Sequence, residues 1–245
     1  MRLDAFLHKN GLCESRTRAQ NTIKSGLVTV NGKIVLKSSA EISDTDEVLV
    51  KGDYIPYVSR GGLKLEAALD EFKINVDGFC AVDIGASTGG FTDCLLQRGA
   101  AKVYAVDCGC GQLHEKLKND IRVVSLENAN AKDLTPEMLD DLEMDIAVMD
   151  VSFISQIKLY PAVRKVLRKG GIFVPLIKPQ FEVGRSGIGK NGLVTDPKIR
   201  QMAVDTVIAA AEKFEFRCLG LMTSAIKGGD GNVEYIAAFS YDGKK

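Results

Sequence analysis

The sequence predicts an α/β protein in which a small α+β unit precedes a mostly parallel β-sheet that ends in an antiparallel hairpin. Apolar, strand-like runs alternate with helical stretches in the larger part of the chain, which is typical of a sheet with helices on both faces. These runs lie near 80–84, 102–107, 121–124, 144–150 and 171–177. Two further runs, 219–223 and 232–239, are joined by a glycine-rich loop too short for a crossover helix. We therefore expect a small domain at 1–51, a linker at 52–59 and a main domain at 60–245.

The small domain is predicted to contain two helices followed by a short antiparallel sheet. Apolar residues recur at helical spacing from Leu3, and Ser15 is a suitable N-cap for a second helix that ends near Lys24. Strands flank the hairpin sequence Asn31–Gly32, and a closing strand lies near 47–50.

This small domain is basic, although the whole chain of 245 residues has a formal net charge of zero. Residues 1–37 carry seven basic and only two acidic side chains. The helix followed by a Gly-x-Val-x-Val-Asn-Gly turn from Gly26 resembles the S4 RNA-binding module. That resemblance implies contacts to RNA phosphates, which give affinity without reading the base sequence. The candidate residues are Arg2, Arg16, Arg18, Lys24 and Lys33. The alternative is a small basic domain whose charges are only solvated.

Composition narrows the class of protein further. The N-terminal stretch lacks the apolar core of a signal peptide, and no run is long enough to span a bilayer. We therefore expect a soluble cytoplasmic protein. The six cysteines include no Cys-x-x-Cys pair, and Cys108-Gly-Cys110 offers too few ligands for a zinc site. We expect free thiols and no bound metal.

A glycine-rich loop after the first strand of the main domain indicates a ligand site. The strand that contains Asp83 is followed by Gly85, Gly89 and Gly90 and then by a helix start, so the backbone turns sharply and exposes its amides. The Gly-x-x-x-Gly spacing matches neither the dinucleotide fingerprint nor the P-loop, which favours another adenosine-bearing ligand. Asp107 ends the next strand, where an acidic side chain reaches ribose hydroxyls. A plain strand-to-helix turn is the structural alternative.

Charged residues also follow two later strands. Asp150 ends one strand, and Lys178, directly before a proline, ends the next. Ligands of open α/β sheets bind at the carboxyl ends of the strands, so both side chains are predicted to face one site. Lys64 lies near a helix start, where the macrodipole disfavours a cation, and Glu234 lies on the last strand. These two residues are candidates to complete a cluster of four charges, unless Lys64 is simply solvated.

Five motifs in chain order are together similar to the TlyA family, S4-linked ribosomal RNA 2′-O-methyltransferases whose catalytic domain is similar to that of the FtsJ enzymes. The motifs are SRGGLKL from Ser59, DIGASTGGFT from Asp83, DVSFIS from Asp150, KPQFEVG from Lys178 and NVEY from Asn232. The resemblance implies a Rossmann-like, S-adenosylmethionine-dependent methyltransferase domain. It also implies methylation of a ribose 2′-hydroxyl in ribosomal RNA, and we expect a cytidine of the large subunit.

The same resemblance assigns residues to roles. The family's catalytic tetrad corresponds to Lys64, Asp150, Lys178 and Glu234. The implied cofactor-binding residues are Asp83, Gly85, Ala86, Ser87, Gly89, Gly90, Phe91, Thr92, Asp107, Asn128 and Asp150. Arg60 joins the RNA-binding residues of the small domain.

Two points stay open from the sequence. To act as a base, Lys178 must be neutral when the methyl group is transferred; burial and Lys64 favour the neutral amine, whereas Asp150 and Glu234 favour the ammonium, which would only orient the hydroxyl. The basic, glycine-rich stretch 184–192 is either a phosphate loop or a mobile lid over the RNA, and we favour the lid.

Two other classes of function compete with an enzyme. A non-catalytic RNA-binding or ribosome-assembly factor is favoured by loss of a tetrad position, and none is lost. A membrane-active haemolysin, a label that this family has attracted, needs a strongly amphipathic or apolar surface segment, which the sequence lacks.

Overall fold

The computed structural model describes residues 1–13, 15–24, 26–43, 45–51, 55–184, 187–228 and 231–243. The chain divides into two compact units, Met1–Tyr54 and Ile55–Lys245. Part of the predicted linker, residues 52–54, and residues 185–186 of the predicted lid lie outside the described residues. No helix within the described ranges is both long and apolar enough to cross a membrane.

The first unit packs two helices against a three-stranded antiparallel sheet. Its elements are α1 (Leu3–Lys9), α2 (Arg16–Lys24), β1 (Val28–Val30), β2 (Lys33–Ile34) and β3 (Val48–Val50), with strand order β2-β1-β3. Ser15 Oγ accepts a hydrogen bond from the amide of Arg18, so the predicted N-cap of α2 is confirmed. Leu3, Leu7 and Ile23 are fully buried in the core of this unit.

A buried carboxylate joins the two helices of the first unit. Asp4 is fully buried and accepts two hydrogen bonds from Arg2, at 3.0 and 2.8 Å, and one from Gln20 at 2.8 Å. Arg16 lies 3.4 Å from the same carboxylate. The guanidinium of Arg2 holds the pKa of Asp4 well below its usual range. Two of the candidate RNA contacts, Arg2 and Arg16, therefore also stabilise the fold, while about half of each side chain remains exposed.

The second unit is a seven-stranded α/β sandwich. Its first elements are α3 (Gly61–Glu71), β4 (Cys80–Ile84), α4 (Gly90–Gln97), β5 (Lys102–Val106), α5 (Glu115–Lys118), β6 (Val123–Leu126) and β7 (Met144–Met149). They are followed by α6 (Tyr160–Val166), β8 (Leu167–Ile177), α7 (Pro179–Glu182), α8 (Pro197–Lys213), β9 (Phe216–Thr223) and β10 (Tyr235–Tyr241).

The sheet of this unit has strand order β6-β5-β4-β7-β8-β10-β9. The pairs among the first five strands are parallel, whereas β10 is antiparallel to both β8 and β9. The predicted fold class is therefore confirmed. The strand order reverses at β4, whose carboxyl end is the place where open α/β sheets bind ligands.

Apolar side chains form a core on each face of the sheet. Helices α6 and α8 cover one face, where Tyr160, Phe173 and Val207 are fully buried. Helices α3 and α4 cover the other face with Leu65, Leu69 and Leu95. Near-continuous burial along β4, β5 and β7 follows from this coverage on both sides.

Two strands differ from the predicted bounds for local reasons. Strand β6 begins two residues later than predicted because Asp120 accepts the amide hydrogens of Arg122 and Val123 in a turn, and Ile121 is left 98% exposed. Strand β8 begins four residues earlier, since its pairing to β7 jumps at a bulge. Gly170 adopts a φ of +74° there, so a sequence that looks like a turn stays within the strand.

Residues 55–59, which the sequence assigned to a linker, pack against the second unit. The amide of Val58 donates to Asp93 Oδ2 at 2.9 Å, and Gln97 Nε2 donates to the carbonyl of Pro56 at 2.8 Å. Tyr57 is buried beside α3 and donates to Glu66 at 2.8 Å. The segment therefore enters α3 from a fixed position on α4.

We predict that Asp4→Ala destabilises the first unit by about 2 kcal/mol, because Arg2 and Arg16 lose a buried anionic partner. Hydrogen exchange of the α1 and α2 amides in the whole chain measures this effect. Glu47→Ala removes an exposed carboxylate from the same unit and is the matched control. An equal loss of protection from hydrogen exchange in both variants would contradict the structural role given to Asp4.

Candidate active site

A cavity of about 310 Å³ opens at the carboxyl ends of β4, β7 and β8. It gathers most of the residues that the sequence singled out. Those that line it are Arg60, Lys64, Asp83, Gly85, Ala86, Ser87, Gly90, Phe91, Asp150 and Lys178. Further lining residues that the sequence did not single out include Ser59, Thr88, Ser152, Ile226 and Lys227.

The glycine-rich loop is shaped by close backbone packing. Gly85 has a φ of +83°, and a Cβ at this position would collide with the carbonyl oxygen of Asp150. Any other residue would therefore strain the loop and push it away from the end of β7. Gly90 similarly touches Ser59 and Gly62, so the first turns of α3 and α4 meet at the cavity wall.

Asp83 lies beneath this loop and is 1% exposed. Its Oδ2 accepts hydrogen bonds from the amide and hydroxyl of Thr92, at 2.9 and 2.7 Å, while Oδ1 has no hydrogen-bond partner among the described residues. Burial raises the pKa of Asp83 to about 7, and the nearby charges of Asp150 and Asp107 act in the same direction. Thr92 is fully buried, and both its amide and its hydroxyl donate to Asp83. It therefore supports the loop and is not among the described residues that line the cavity.

Asp107 and Asn128 lie beyond the lining of this cavity. Asp107 accepts from the amides of Ser87 at 2.8 Å and Gly109 at 2.7 Å, so it ties the glycine-rich loop to the loop after β5. Asn128 is exposed, has a φ of +55°, and donates its amide hydrogen to the carbonyl of Gly109. The structure therefore places Asp107, Asn128 and Gly89, three of the predicted cofactor-binding residues, outside the lining of this cavity.

The first of two lysine–carboxylate pairs is buried. Lys64 Nζ lies 2.5 Å from Glu234 Oε2, and the two residues are 8% and 3% exposed. Lys64 is in the first turns of α3, and Glu234 directly precedes β10. The helix macrodipole disfavours a cation near the start of a helix, and the carboxylate of Glu234 offsets this effect for Lys64.

The second pair lies at the strand ends. Lys178 Nζ is 2.6 Å from Asp150 Oδ1 and donates a hydrogen bond to Ser152 Oγ at 2.8 Å. Strand β8 ends at Ile177 and Pro179 begins α7, which fixes where the lysine leaves the sheet. The structure thus brings all four predicted catalytic residues to one place, arranged as two ion pairs.

Glu182 fixes the loop that carries Ser152. Its carboxylate accepts from Ser155 Oγ at 2.6 Å and from the amide of Gln156 at 2.9 Å, and burial raises the pKa of Glu182. The ring of Phe153 packs on Phe181, with centroids 5.2 Å apart, although 92% of Phe153 is exposed. The segments after β7 and β8 are therefore held together beside Lys178.

The six predicted RNA contacts are distributed over both units. Lys24 and Lys33 are exposed on the first unit, and Arg18 is half-buried on α2. Arg60 is exposed on the second unit, where it lines the cavity. The exposed cysteines Cys108 and Cys110 lie after β5, and no group of three or more metal-ligating side chains is found within the described ranges.

The fold and the cavity define a Rossmann-like methyltransferase that carries a separate S4 unit. Residues 57–241 match the FtsJ-like methyltransferase family, and residues 1–48 match the S4 domain. The chain belongs to the TlyA family of FtsJ-like methyltransferases.

Relatives support this membership over nearly the full chain. A protein named Hemolysin A from Brachyspira hyodysenteriae is 47% identical over 98% of this chain and 99% of its own. The 16S/23S rRNA (cytidine-2′-O)-methyltransferase TlyA of Mycobacterium tuberculosis is 44% identical over 96% of this chain and 87% of its own. A solved structure, a putative hemolysin from Streptococcus thermophilus, superposes with a TM-score of 0.79 at 44% identity, covering 98% of this chain and 88% of the other.

The residues of the cavity fit the cofactor that the methyltransferase fold implies. The absence of a side chain at Gly85 lets the glycine-rich loop pack against the backbone of Asp150, and in this position residues 85–88 line the cavity. The buried Oδ1 of Asp83 faces this region without a described partner. Both features suit a ligand that bears amino and hydroxyl donors.

We predict that Gly85→Ala abolishes cofactor binding while the protein remains folded. The added methyl group would force the glycine-rich loop away from Asp150, and the required positive φ adds strain. Calorimetry with S-adenosylmethionine measures the binding. Gly111→Ala is the control, since Gly111 also has a positive φ but has open space around it.

We predict that Asp83→Asn alters the pH dependence of stability. The folded state holds the Asp83 proton more tightly than the unfolded chain. The contribution of Asp83 to the free energy of unfolding therefore falls as pH rises from 3.8 to about 7 and then levels off. The asparagine variant lacks this contribution, and its stability relative to wild type should rise by up to about 1.4 kcal/mol per pH unit within that window. Urea unfolding at a series of pH values measures the difference. Parallel pH profiles for the two proteins would contradict the assignment.

Proposed function

We propose that this chain transfers a methyl group from S-adenosylmethionine to a ribose 2′-hydroxyl in ribosomal RNA, with a cytidine of the large-subunit RNA as the target. The observation that carries the proposal is the pair of lysine–carboxylate contacts in the same cavity as the glycine-rich loop. The name of the mycobacterial relative covers both 16S and 23S RNA and supports a cytidine ribose as the target. The large subunit is favoured by the name of a relative from Campylobacter jejuni, 23S rRNA (cytidine-2′-O)-methyltransferase TlyA, which is 34% identical over 96% of this chain.

The cofactor is held by the glycine-rich loop in this proposal. Backbone groups around Gly85 and Ser87 would contact its amino-acid part, Asp107 would accept from its ribose, and Asn128 would lie beside its adenine. When bound, S-adenosylmethionine supplies an electrophilic methyl group on a sulfonium. The protein has to bring a weak nucleophile, the 2′-oxygen, into line with that group.

Lys178 orients the 2′-oxygen. Its ammonium has three N–H groups and donates one to Ser152 while lying 2.6 Å from Asp150 Oδ1, so donors remain for a substrate oxygen in the cavity that it lines. We infer from its contact with Asp150 that Lys178 acts as the ammonium and not as the base. It therefore orients the oxygen and stabilises the negative charge that develops on it as the hydroxyl proton leaves to solvent at the exposed rim of the cavity, which is the second of the two roles left open by the sequence.

The Lys64–Glu234 pair keeps the wall of the cavity in place. Removing one partner would leave an uncompensated charge at a site that is less than a tenth exposed. Lys64 also lines the cavity. We infer that Lys64 supports the same ribose while Glu234 holds the lysine in position.

The first unit supplies RNA affinity in this proposal. Exposed cations on α2 and at the β1–β2 turn, Lys24 and Lys33 among them, suit the phosphate backbone. Arg2 and Arg16 contribute the exposed half of their side chains while Asp4 fixes their direction. Recognition through phosphates selects RNA shape, and base identity is then selected at the second unit.

We predict that Lys178→Ala lowers the methyl-transfer rate by at least about a hundredfold, because charge stabilisation at the oxygen is lost. The affinity for S-adenosylmethionine should change little, since Lys178 lies on the substrate side of the cavity. The measurement is incorporation of labelled methyl groups into large-subunit RNA, with sites mapped by resistance of the ribose to alkaline cleavage. Wild-type turnover in the variant would remove Lys178 from the mechanism, and a wild-type enzyme that methylates only bases would overturn the proposed function.

A further inference from the structure

The charges that line the cavity do not balance. Its four cations are Arg60, Lys64, Lys178 and Lys227. Lys64 and Lys178 each contact a carboxylate, as described above. Arg60 and Lys227 are exposed, and neither forms an ion pair or hydrogen bond with any other described residue. The buried end of the cavity is thus internally compensated, whereas its exposed rim keeps two uncompensated positive charges.

The backbone that carries Lys227 is anchored on both sides. Ser224 Oγ donates to the carbonyl of Ile226 at 2.8 Å, and the amide of Gly228 donates to the carbonyl of Asn232 at 3.0 Å. The amide of Ser224 also donates to the carbonyl of Glu234. Lys227 is therefore an exposed side chain on a backbone with a defined position.

This loop is packed directly against the buried ion pair. A Cβ on Gly228 would lie 2.5 Å from Glu234 Oε1, so only a glycine allows the loop to approach that carboxylate. The carboxylate is itself fixed by Lys64. The position of Lys227 is consequently set by the same contact that shapes the catalytic wall.

We propose that Lys227 binds the phosphate adjacent to the target ribose, together with Arg60, which lines the same cavity. The inference rests on the proposed function. In RNA the 3′-phosphate is attached to the carbon next to the one that bears the 2′-hydroxyl. A ribose whose 2′-oxygen reaches Lys178 therefore carries its own phosphodiester to the rim of the cavity. Two uncompensated cations at that rim match this anion in charge and position.

The carboxylate of the cofactor is the competing anion. A carboxylate bound with the cofactor would lie at the start of α4, where Gly90 and Phe91 in the first turn of the helix line the cavity. The amides of Gly85, Ala86 and Ser87 are already hydrogen-bonded to Val106 and Asp107. Lys227 approaches the cavity from the β9–β10 loop instead, on the side of Glu234 and Lys178. The location of Lys227 therefore favours an RNA phosphate over the cofactor carboxylate as its ligand.

Methylation kinetics of the full chain test the proposal. Lys227→Ala should raise the KM for large-subunit RNA roughly fivefold at low salt with kcat nearly unchanged, and reduce the slope of log(kcat/KM) against log salt by about 0.7 to 0.9. Lys227→Arg should stay within about twofold of wild type, because it keeps the charge. The affinity for S-adenosylmethionine, measured by calorimetry, should not change.

The matched control is Lys165→Ala. Lys165 is an exposed lysine in the last turn of α6, next to the start of β8 and hence at the edge of the sheet opposite the cavity. Like Lys227→Ala, the Lys165→Ala substitution removes one positive charge from the second unit. An equal effect of both variants on KM and salt slope would show a general charge effect and overturn the proposal.

The remaining outcomes are equally decisive. Weaker cofactor binding by Lys227→Ala with an unchanged KM for RNA would assign the lysine to the cofactor carboxylate. Wild-type KM and salt slope would show that the lysine is only solvated. Direct binding of the same RNA is measured in parallel. If wild-type protein transfers no methyl group, the proposed function fails, and the RNA-binding slopes of wild type and Lys227→Ala still decide the role of Lys227.

Discussion

The buried contact between Lys64 and Glu234 organises the second unit. It joins the first helix of that unit to its last strand across 170 residues of sequence. Removing two charges from water is costly, and a pair of apolar residues would often give equal or greater stability. A buried ion pair at the wall of a cavity is therefore better explained by the chemistry of the site than by the stability of the fold.

The same contact determines what surrounds the cavity. Lys64 is placed by the first turns of α3, which meet the start of α4 through Gly90. On the other side, Glu234 is touched by the loop that bears Lys227. The glycine-rich loop, the cationic rim and the lysine–carboxylate pairs are thus connected through short, tightly packed contacts, and none of them can move far without affecting the others.

Much of the fold follows from patterns that a sequence carries directly. Alternation of apolar runs and helical stretches predicts the parallel sheet, and the short glycine-rich connection predicts that β10 runs antiparallel to β9. Strand ends were harder to predict, because a turn at Asp120 and a bulge at Gly170 depend on hydrogen bonds that residue type alone does not specify.

The site likewise contains residues that the sequence predicts and residues that it does not. Residues that follow strands, such as Asp150 and Lys178, were predictable because strand topology determines where they lie. Ser152 and Lys227 were not, since their place in the cavity depends on how two irregular loops fold back. Within the tetrad, a contact between Asp150 and Lys178 could be expected because they follow neighbouring strands. The contact between Lys64 and Glu234 could not, since it depends on how the first helix and the last strand of the unit meet.

The antiparallel direction of β10 has a consequence for how such enzymes diversify. Because the strand runs against its neighbour β8, its first residue lies at the same edge as the last residues of the parallel strands. The connection before it therefore reaches the substrate, while the strand itself completes the sheet. Residues of that connection can therefore change without disturbing the folded interior, so the lining of the cavity can evolve there at little cost to the scaffold.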